Sequence, residues 1–439
     1  MLTAVRFLAL FAVALWGLAA CTPPAPPAVS APRMEAVMDW AVPLVAGALS
    51  DRQLAGQVLM VGIENDTEGR PLVAIDEATR TMLEDVEPGA AVLFGQTFAS
   101  VEQVAALVRE IDAAVGARPI IATDYEGGFV SRLTATGGIA ATRIPPAADV
   151  GAAFRSLAEA GDSASDAFAL AEELGAVMGR ELRALGVTMN FAPVADVDPA
   201  GGVVSIGRHG RTYGDDPEFV GRLAAGVVRG LQAEGVAAVV KHFPGHGRVA
   251  EDSHDGFAEL DVTLEDFRSF ELPAFELALA SGPLGLMTGH FTVPMLTATS
   301  DPASLSSTVT RLAREELGYT GLIVTDALNM RALSEFAPES ELVVRALEAG
   351  ADMVLKPLDP LAVRDAILAA LDEGRLSRDA IVRSVARVFH VKRRLGIFGP
   401  EWVPLAPANV DVEYATSTLG SAGHRAVVDR IRALSGGRD

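Results

Sequence analysis

The sequence predicts an α/β protein built as a single (β/α)8 barrel of the TIM type, without a second α/β domain. Three observations carry this. Eight short runs of aliphatic and β-branched residues recur along the chain, each bounded by turn residues. Segments of helical periodicity separate them, as at 101–115, 219–234 and 267–280. The globular stretch from 34 to 398, roughly 365 residues, is too long for one sandwich and fits one barrel. Strand alternating with helix eight times implies parallel strands, and a parallel sheet of eight closes on itself.

The elements follow in order. Residues 1–21 hold Arg6, an apolar run from Phe7 to Leu18, and then Ala19-Ala20-Cys21. That apolar run is too short to span a bilayer comfortably. The ending Leu18-Ala-Ala-Cys21 resembles a bacterial lipoprotein signal, in which the cysteine becomes the lipidated first residue. Cys21 is the only cysteine, so it has no intramolecular disulfide partner. The expectation is a protein of the cell envelope, anchored by lipid on the extracytoplasmic side of a membrane. Residues 22–33, TPPAPPAVSAPR, read as a Pro/Ala tether. Strands are expected at 58–63, 91–94, 120–124, 188–194, 238–243, 284–290, 322–326 and 353–356. The barrel is expected to end near Phe398, and 399–439 to form an extension with one amphipathic helix at 422–434.

Ionisable residues gather at the carboxyl ends of these strands. Asp124 closes the third, Lys241 and His242 close the fifth, His290 the sixth and Asp326 the seventh. One charge at a strand end can be a cap or an ion pair. Charges at four strand ends of a barrel converge on the face where such folds carry out their chemistry. The stretch 241–254, KHFPGHGRVAEDSH, is the densest: it holds three of the seven histidines, and Asp252 stands two residues before His254. That spacing sets Asp252 and His254 on one side of an extended segment. The net charge of −21 argues against a nucleic-acid or anionic-membrane surface. No metal or organic cofactor is implied, since His242 and His246 are separated by a Pro-Gly turn and form no helical ligand pair.

Seven segments, in this order, carry a family resemblance. They are Pro88-Gly-Ala-Ala-Val-Leu-Phe-Gly95, Asp124-Tyr-Glu-Gly-Gly-Phe-Val-Ser-Arg132, Asn190-Phe-Ala-Pro-Val-Ala-Asp196, Arg211-Thr-Tyr-Gly214, Lys241-His-Phe-Pro-Gly-His-Gly247, Asp252-Ser-His254 and Thr325-Asp-Ala-Leu-Asn-Met330. Together they resemble the bacterial β-N-acetylglucosaminidases of glycoside hydrolase family 3, over residues 50 to 398. The resemblance implies Asp326 as nucleophile of a retaining mechanism. It implies His254 as acid/base with Asp252 as its partner, and Asp124, Arg132, Arg211, Lys241 and His242 as the grip on the terminal sugar. A histidine can replace the usual second carboxyl because its proton exchanges near neutral pH. Two positions depart from the pattern: Phe129 stands where the family usually has Arg, and Ala327 where this subgroup often has a second acid.

The implied activity is exo-hydrolysis of terminal β-linked GlcNAc from cell-wall fragments or chitooligosaccharides. The expected partner is that carbohydrate, with no nucleic acid, membrane contact only through the lipid, and a monomeric state. Two readings stand beside it: a phosphorylase using the same residues, and a sugar-binding lipoprotein without turnover. A neutral histidine base repels an incoming phosphate less than a carboxylate does.

Overall fold

A computed structural model of the chain describes residues 41–66, 68–159, 164–199, 206–249, 258–297, 299–330, 333, 336–399, 404–405 and 410–436. Cys21, Asp252 and His254 lie outside them. Eight parallel strands close into a barrel: β1 (Leu59–Ile63), β2 (Ala90–Leu93), β3 (Ile120–Thr123), β4 (Met189–Asn190), β5 (Ala237–Phe243), β6 (Gly285–Thr288), β7 (Leu322–Ala327) and β8 (Met353–Leu355). Each strand neighbours its predecessor in the chain, and β8 closes on β1 with Leu59 opposite Val354 and Met60 opposite Leu355. The expected barrel is the observed one.

The helices start where the sequence provides caps. Ser100 accepts from the Gln103 N–H at the head of Val101–Ala114. Asp216 accepts from the Phe219 N–H ahead of Pro217–Ala233, with Pro217 where its missing N–H does no harm. Buried faces of these helices join one strand-centred apolar cluster, and a second cluster combines strand residues such as Met60, Val92, Ala122 and Val239 with the buried faces of the first helices and the last barrel helices. No helix among the described residues is long and apolar enough to cross a membrane.

Three elements differ from expectation. The strand expected over 188–194 pairs regularly only at Met189–Asn190. Pro193 has no N–H for the ladder, and the chain is held instead through carbonyls: Val239 N–H donates to Ala192 O at 3.0 Å and Lys241 N–H to Pro193 O at 3.1 Å. The helix expected over 267–280 contains a wide π-turn at Phe267–Glu271 before Leu272–Leu279. Pro273 cannot donate back along the helix, which is where the regular ladder gives way. The C-terminal segment holds two helices, Val412–Thr418 as well as Ala422–Leu434, where one was expected. The shorter helix carries a weak periodic signal, but Asp411 caps it by accepting from the Tyr414 N–H.

Candidate active site

Asp124, Lys241, His242, His290 and Asp326 all lie at the carboxyl end of the barrel, on β5 and β7 or within two residues of the ends of β3 and β6. After β3 the chain turns back as a hairpin, Tyr125–Gly127 against Val130–Ser131. Gly127 and Gly128 make its bend with φ of 104° and 54°. A Cβ at Gly127 would lie 2.4 Å from Pro145 O, so this turn requires glycine for both its conformation and its closeness to the neighbouring chain. The hairpin brings Arg132 back to its origin: Arg132 N–H donates to Asp124 O at 3.0 Å, and Arg132 Nε lies 3.5 Å from Asp124 Oδ2. That Nε is buried and makes no hydrogen bond among the described residues.

A buried ionic cluster joins the hairpin to β5. Lys241 Nζ lies 3.0 Å from Asp124 Oδ1 and 2.5 Å from Glu126 Oε1. Arg211 grips Glu126 through two parallel contacts, Nε to Oε2 at 2.9 Å and Nη2 to Oε1 at 2.8 Å. Arg208, the other arginine of that loop, is exposed. Burial alone would raise the Glu126 pKa, but Arg211 and Lys241 outweigh it and hold the carboxyl at about 2. Against the penalty of its own burial, Glu126 and Asp124 in turn raise the Lys241 pKa, so this ammonium stays charged.

Asp196 organises the loop after β5. Its carboxylate accepts from the His242 Nδ1–H at 2.8 Å, from the His242 backbone N–H at 3.2 Å and from the His246 backbone N–H at 2.7 Å. A carboxylate can only accept, so His242 carries a proton on Nδ1 and the ring orientation is set. His246 is buried with its ring edge toward Phe291, and burial lowers its pKa to about 4, which keeps it neutral. His290 is satisfied on both sides, Nδ1 by Ser304 Oγ at 2.7 Å and Nε2 by Ala327 O at 3.2 Å.

Asp326 ends this ring of groups. Its Oδ1 accepts from the Ala327 N–H at 2.7 Å. Burial pushes its pKa up, and His242, His290, the Ala327 N–H and Lys241 together push it further down, to about 2. The result is a half-buried carboxylate, still reached by solvent, that stays ionised far below neutral pH. Such a group can attack an electrophilic carbon, and the neighbouring acids, amine and guanidinium can hold hydroxyl groups around that carbon. The segment bearing Asp252 and His254 is flanked by Val249, whose N–H donates to His246 O at 3.2 Å, and by Ala258, paired with Phe291 just beyond β6. Both flanks lie at the same end of the barrel as Asp326.

Glu126 and Asp196 are structural centres of the site to which the family resemblance attaches no role. Lys356 is a third, beyond β8, with Nζ 2.7 Å from Glu64 Oε2 and 3.9 Å from the centre of the Phe94 ring. The ring of polar groups therefore continues across β8 and β1, with the Phe94 ring beyond β2 packed beneath the ammonium. The alternation Asp124-Tyr-Glu126 places Glu126 on the same side as Asp124, and this was the available signal for it.

Residues 52–391 match the Glycosyl hydrolase family 3 N terminal domain. The chain belongs to glycoside hydrolase family 3. The family 3 assignment makes it a glycoside hydrolase. Among its relatives, the beta-hexosaminidase LpqI of Mycobacterium tuberculosis is 34% identical over 358 residues, covering 79% of this chain and 84% of the relative. A beta-hexosaminidase of Thiobacillus denitrificans is 36% identical over 294 residues, 67% of this chain and 77% of the relative. Among solved structures, a family 3 beta-N-acetylglucosaminidase from a Paenibacillus species superposes with a TM-score of 0.75 at 35% identity, covering 88% of this chain and 69% of that one.

Proposed function

We propose that this family 3 glycosidase is an exo-acting β-N-acetylglucosaminidase that releases terminal β-linked GlcNAc with retention of configuration. Asp326 attacks the anomeric carbon and forms a covalent glycosyl-enzyme, while His254, partnered by Asp252, protonates the leaving oxygen and then activates water. Asp124, Lys241, Arg132, Arg211 and His242 hold the terminal sugar. Arg211 acts through Glu126, to which both its contacts run. One observation carries the reading: a half-buried carboxylate held at about 2 stands in a ring of hydroxyl-binding groups at the carboxyl end of the barrel. The beta-hexosaminidase relatives support the choice of an N-acetylated sugar. The substrates proposed are cell-wall fragments or chitooligosaccharides. Lipid at Cys21 would keep the enzyme at a membrane on the extracytoplasmic side, and Cys21→Ser then releases it to the soluble fraction.

The deciding experiment compares nitrophenol release from an aryl β-N-acetylglucosaminide and an aryl β-glucoside. A strong preference for the N-acetyl substrate is expected, and preference for the glucoside would overturn the specificity. Product analysis with and without inorganic phosphate should give free GlcNAc in both cases; a sugar 1-phosphate would make the enzyme a phosphorylase. Sugar binding without turnover would leave only the binding-protein reading.

A further inference from the structure

Phe129, where the hairpin departs from the family pattern, is 70% exposed at the tip of that hairpin. It is nonetheless held. Its ring lies on the imidazole of His209, with centroids 4.2 Å apart and planes 12° from parallel. One face is thus covered and the other is open to solvent. A single exposed aromatic is ordinary on a protein surface, but a ring stacked flat on its neighbour, on a loop of the active end, offers a platform for a ligand's apolar face.

Both halves of the stack lie on segments that also carry sugar-holding residues, though neither ring is one of them. Phe129 follows the Gly127–Gly128 bend, three residues from Glu126 and three from Arg132, and His209 is two residues before Arg211. The two segments are tied to a shared stretch of chain. Gly128 N–H donates to Ile144 O at 3.0 Å, and Ala148 N–H donates to Gly210 O at 3.0 Å. Phe129 and His209 lie on the loops that follow β3 and β4, at the same end of the barrel as Asp326 and the Lys241 cluster, and Phe129 is the exposed tip of its loop. In the exo-acting reading a terminal sugar fills the pocket at Asp326, so its leaving group must emerge toward solvent at this end of the barrel.

We infer that the Phe129–His209 stack is a leaving-group subsite that takes the face of one hexopyranose, the sugar to which the terminal residue is linked. A pyranose has a face of axial C–H groups that matches an aromatic ring in size and polarity. The open surface is one ring wide, which suits a single sugar and not an extended apolar partner. The inference rests on the glycosidase reading above, which puts a terminal sugar at Asp326.

The test separates the two. In an Asp326→Ala background, titration calorimetry compares N,N′-diacetylchitobiose with GlcNAc. Adding Phe129→Ala should weaken chitobiose binding about five- to ten-fold, the size of one aromatic stack, and leave GlcNAc binding unchanged. Phe129→Trp should restore it. With Asp326 intact, Phe129→Ala should lower kcat/KM for chitobiose and not for methyl β-N-acetylglucosaminide, whose aglycone is too short to reach the stack. Equal losses on both ligands, or none on chitobiose, overturn the subsite. A wild-type protein that binds both sugars without turnover overturns hydrolysis alone, and the affinity comparison still decides the subsite. Binding of neither sugar overturns both.

Discussion

Lys241 shows how a single residue organises the site. Its ammonium is shared between Asp124 and Glu126, and Glu126 is also claimed by Arg211. Removing the Glu126 charge leaves two buried cations short of a carboxylate. Glu126→Gln should therefore lower stability by about 3 kcal/mol at neutral pH, read from denaturant unfolding. The pH dependence follows from its lowered pKa. The folded carboxyl sits at about 2 and the unfolded one near the ordinary 4.5, so its contribution is complete above pH 4.5 and fades as pH falls toward 2. The glutamine variant should lose that acid-side slope. Asp326 is likewise ionised down to about 2, so a loss of activity on the alkaline side must come from another group. With His254 as the acid, kcat/KM on a poor leaving group falls above its pKa, and His254→Ala loses far more on that substrate than on a dinitrophenyl glycoside. Equal losses would remove His254 from the acid role. Strand-end residues such as Asp124 and Asp326 were legible because periodicity marks strand ends. Glu126 and Asp196 were not, because their meaning depends on partners 85 and 46 residues away.

At the scale of elements, aliphatic runs sufficed to locate all eight strands, since parallel strands buried on both faces are nearly continuous in apolar residues. What stayed illegible was irregularity imposed by prolines inside otherwise suitable patterns, at Pro193 and Pro273, and the docking of the C-terminal helices. That docking reaches the site. Glu181, fully buried in Ala164–Ala184, accepts from the Thr142 N–H and hydroxyl, the Tyr125 hydroxyl, the Gly420 N–H and the His424 Nδ1–H. Burial would raise its pKa, but His424, Thr142 and Gly420 bring it below the usual value. Tyr125 lies between Asp124 and Glu126, and its main chain is also clamped on both sides by Asn190. The helix Ala422–Leu434 thus braces the hairpin through His424 and Glu181. Glu181→Gln turns one acceptor into a donor facing donors and should destabilise by about 2–3 kcal/mol. It should also raise KM on the aryl substrate more than it lowers kcat. His424→Ala should do the same at about half the size. Unchanged KM in a folded Glu181→Gln protein would confine the network to stability.

The whole molecule has two ends with opposite electrostatic tasks. The carboxyl end gathers charges that must stay charged. The amino end holds one that is close to giving up its charge. Lys392, on the last barrel helix Arg378–Arg394, is fully buried and donates to Gln57 Oε1 at 2.8 Å and Ala117 O at 3.0 Å, tying that helix to Asp51–Gln57 and to the turn before β3. Burial pushes its pKa down to about 7, and Asp112 only partly opposes this. The unfolded lysine keeps its proton until about pH 10. Between these values the unfolded chain binds more protons than the folded one, so this residue makes stability rise with pH from about 7 to about 10. Other lysines and tyrosines titrate in that range too, so the difference between wild type and Lys392→Met is the informative quantity. The variant should be less stable than wild type at pH 9, where neutral Lys392 still donates its hydrogen bonds, and should draw level or become more stable near pH 6, where the wild type must bury a cation. The pH profile of kcat/KM should stay unchanged, because Lys392 lies at the end of the barrel opposite Asp326. A stability difference independent of pH would mean that Lys392 keeps its charge throughout, held by Gln57, Ala117 and the rings of Phe389 and Phe398 that flank it at 5.7 and 5.4 Å.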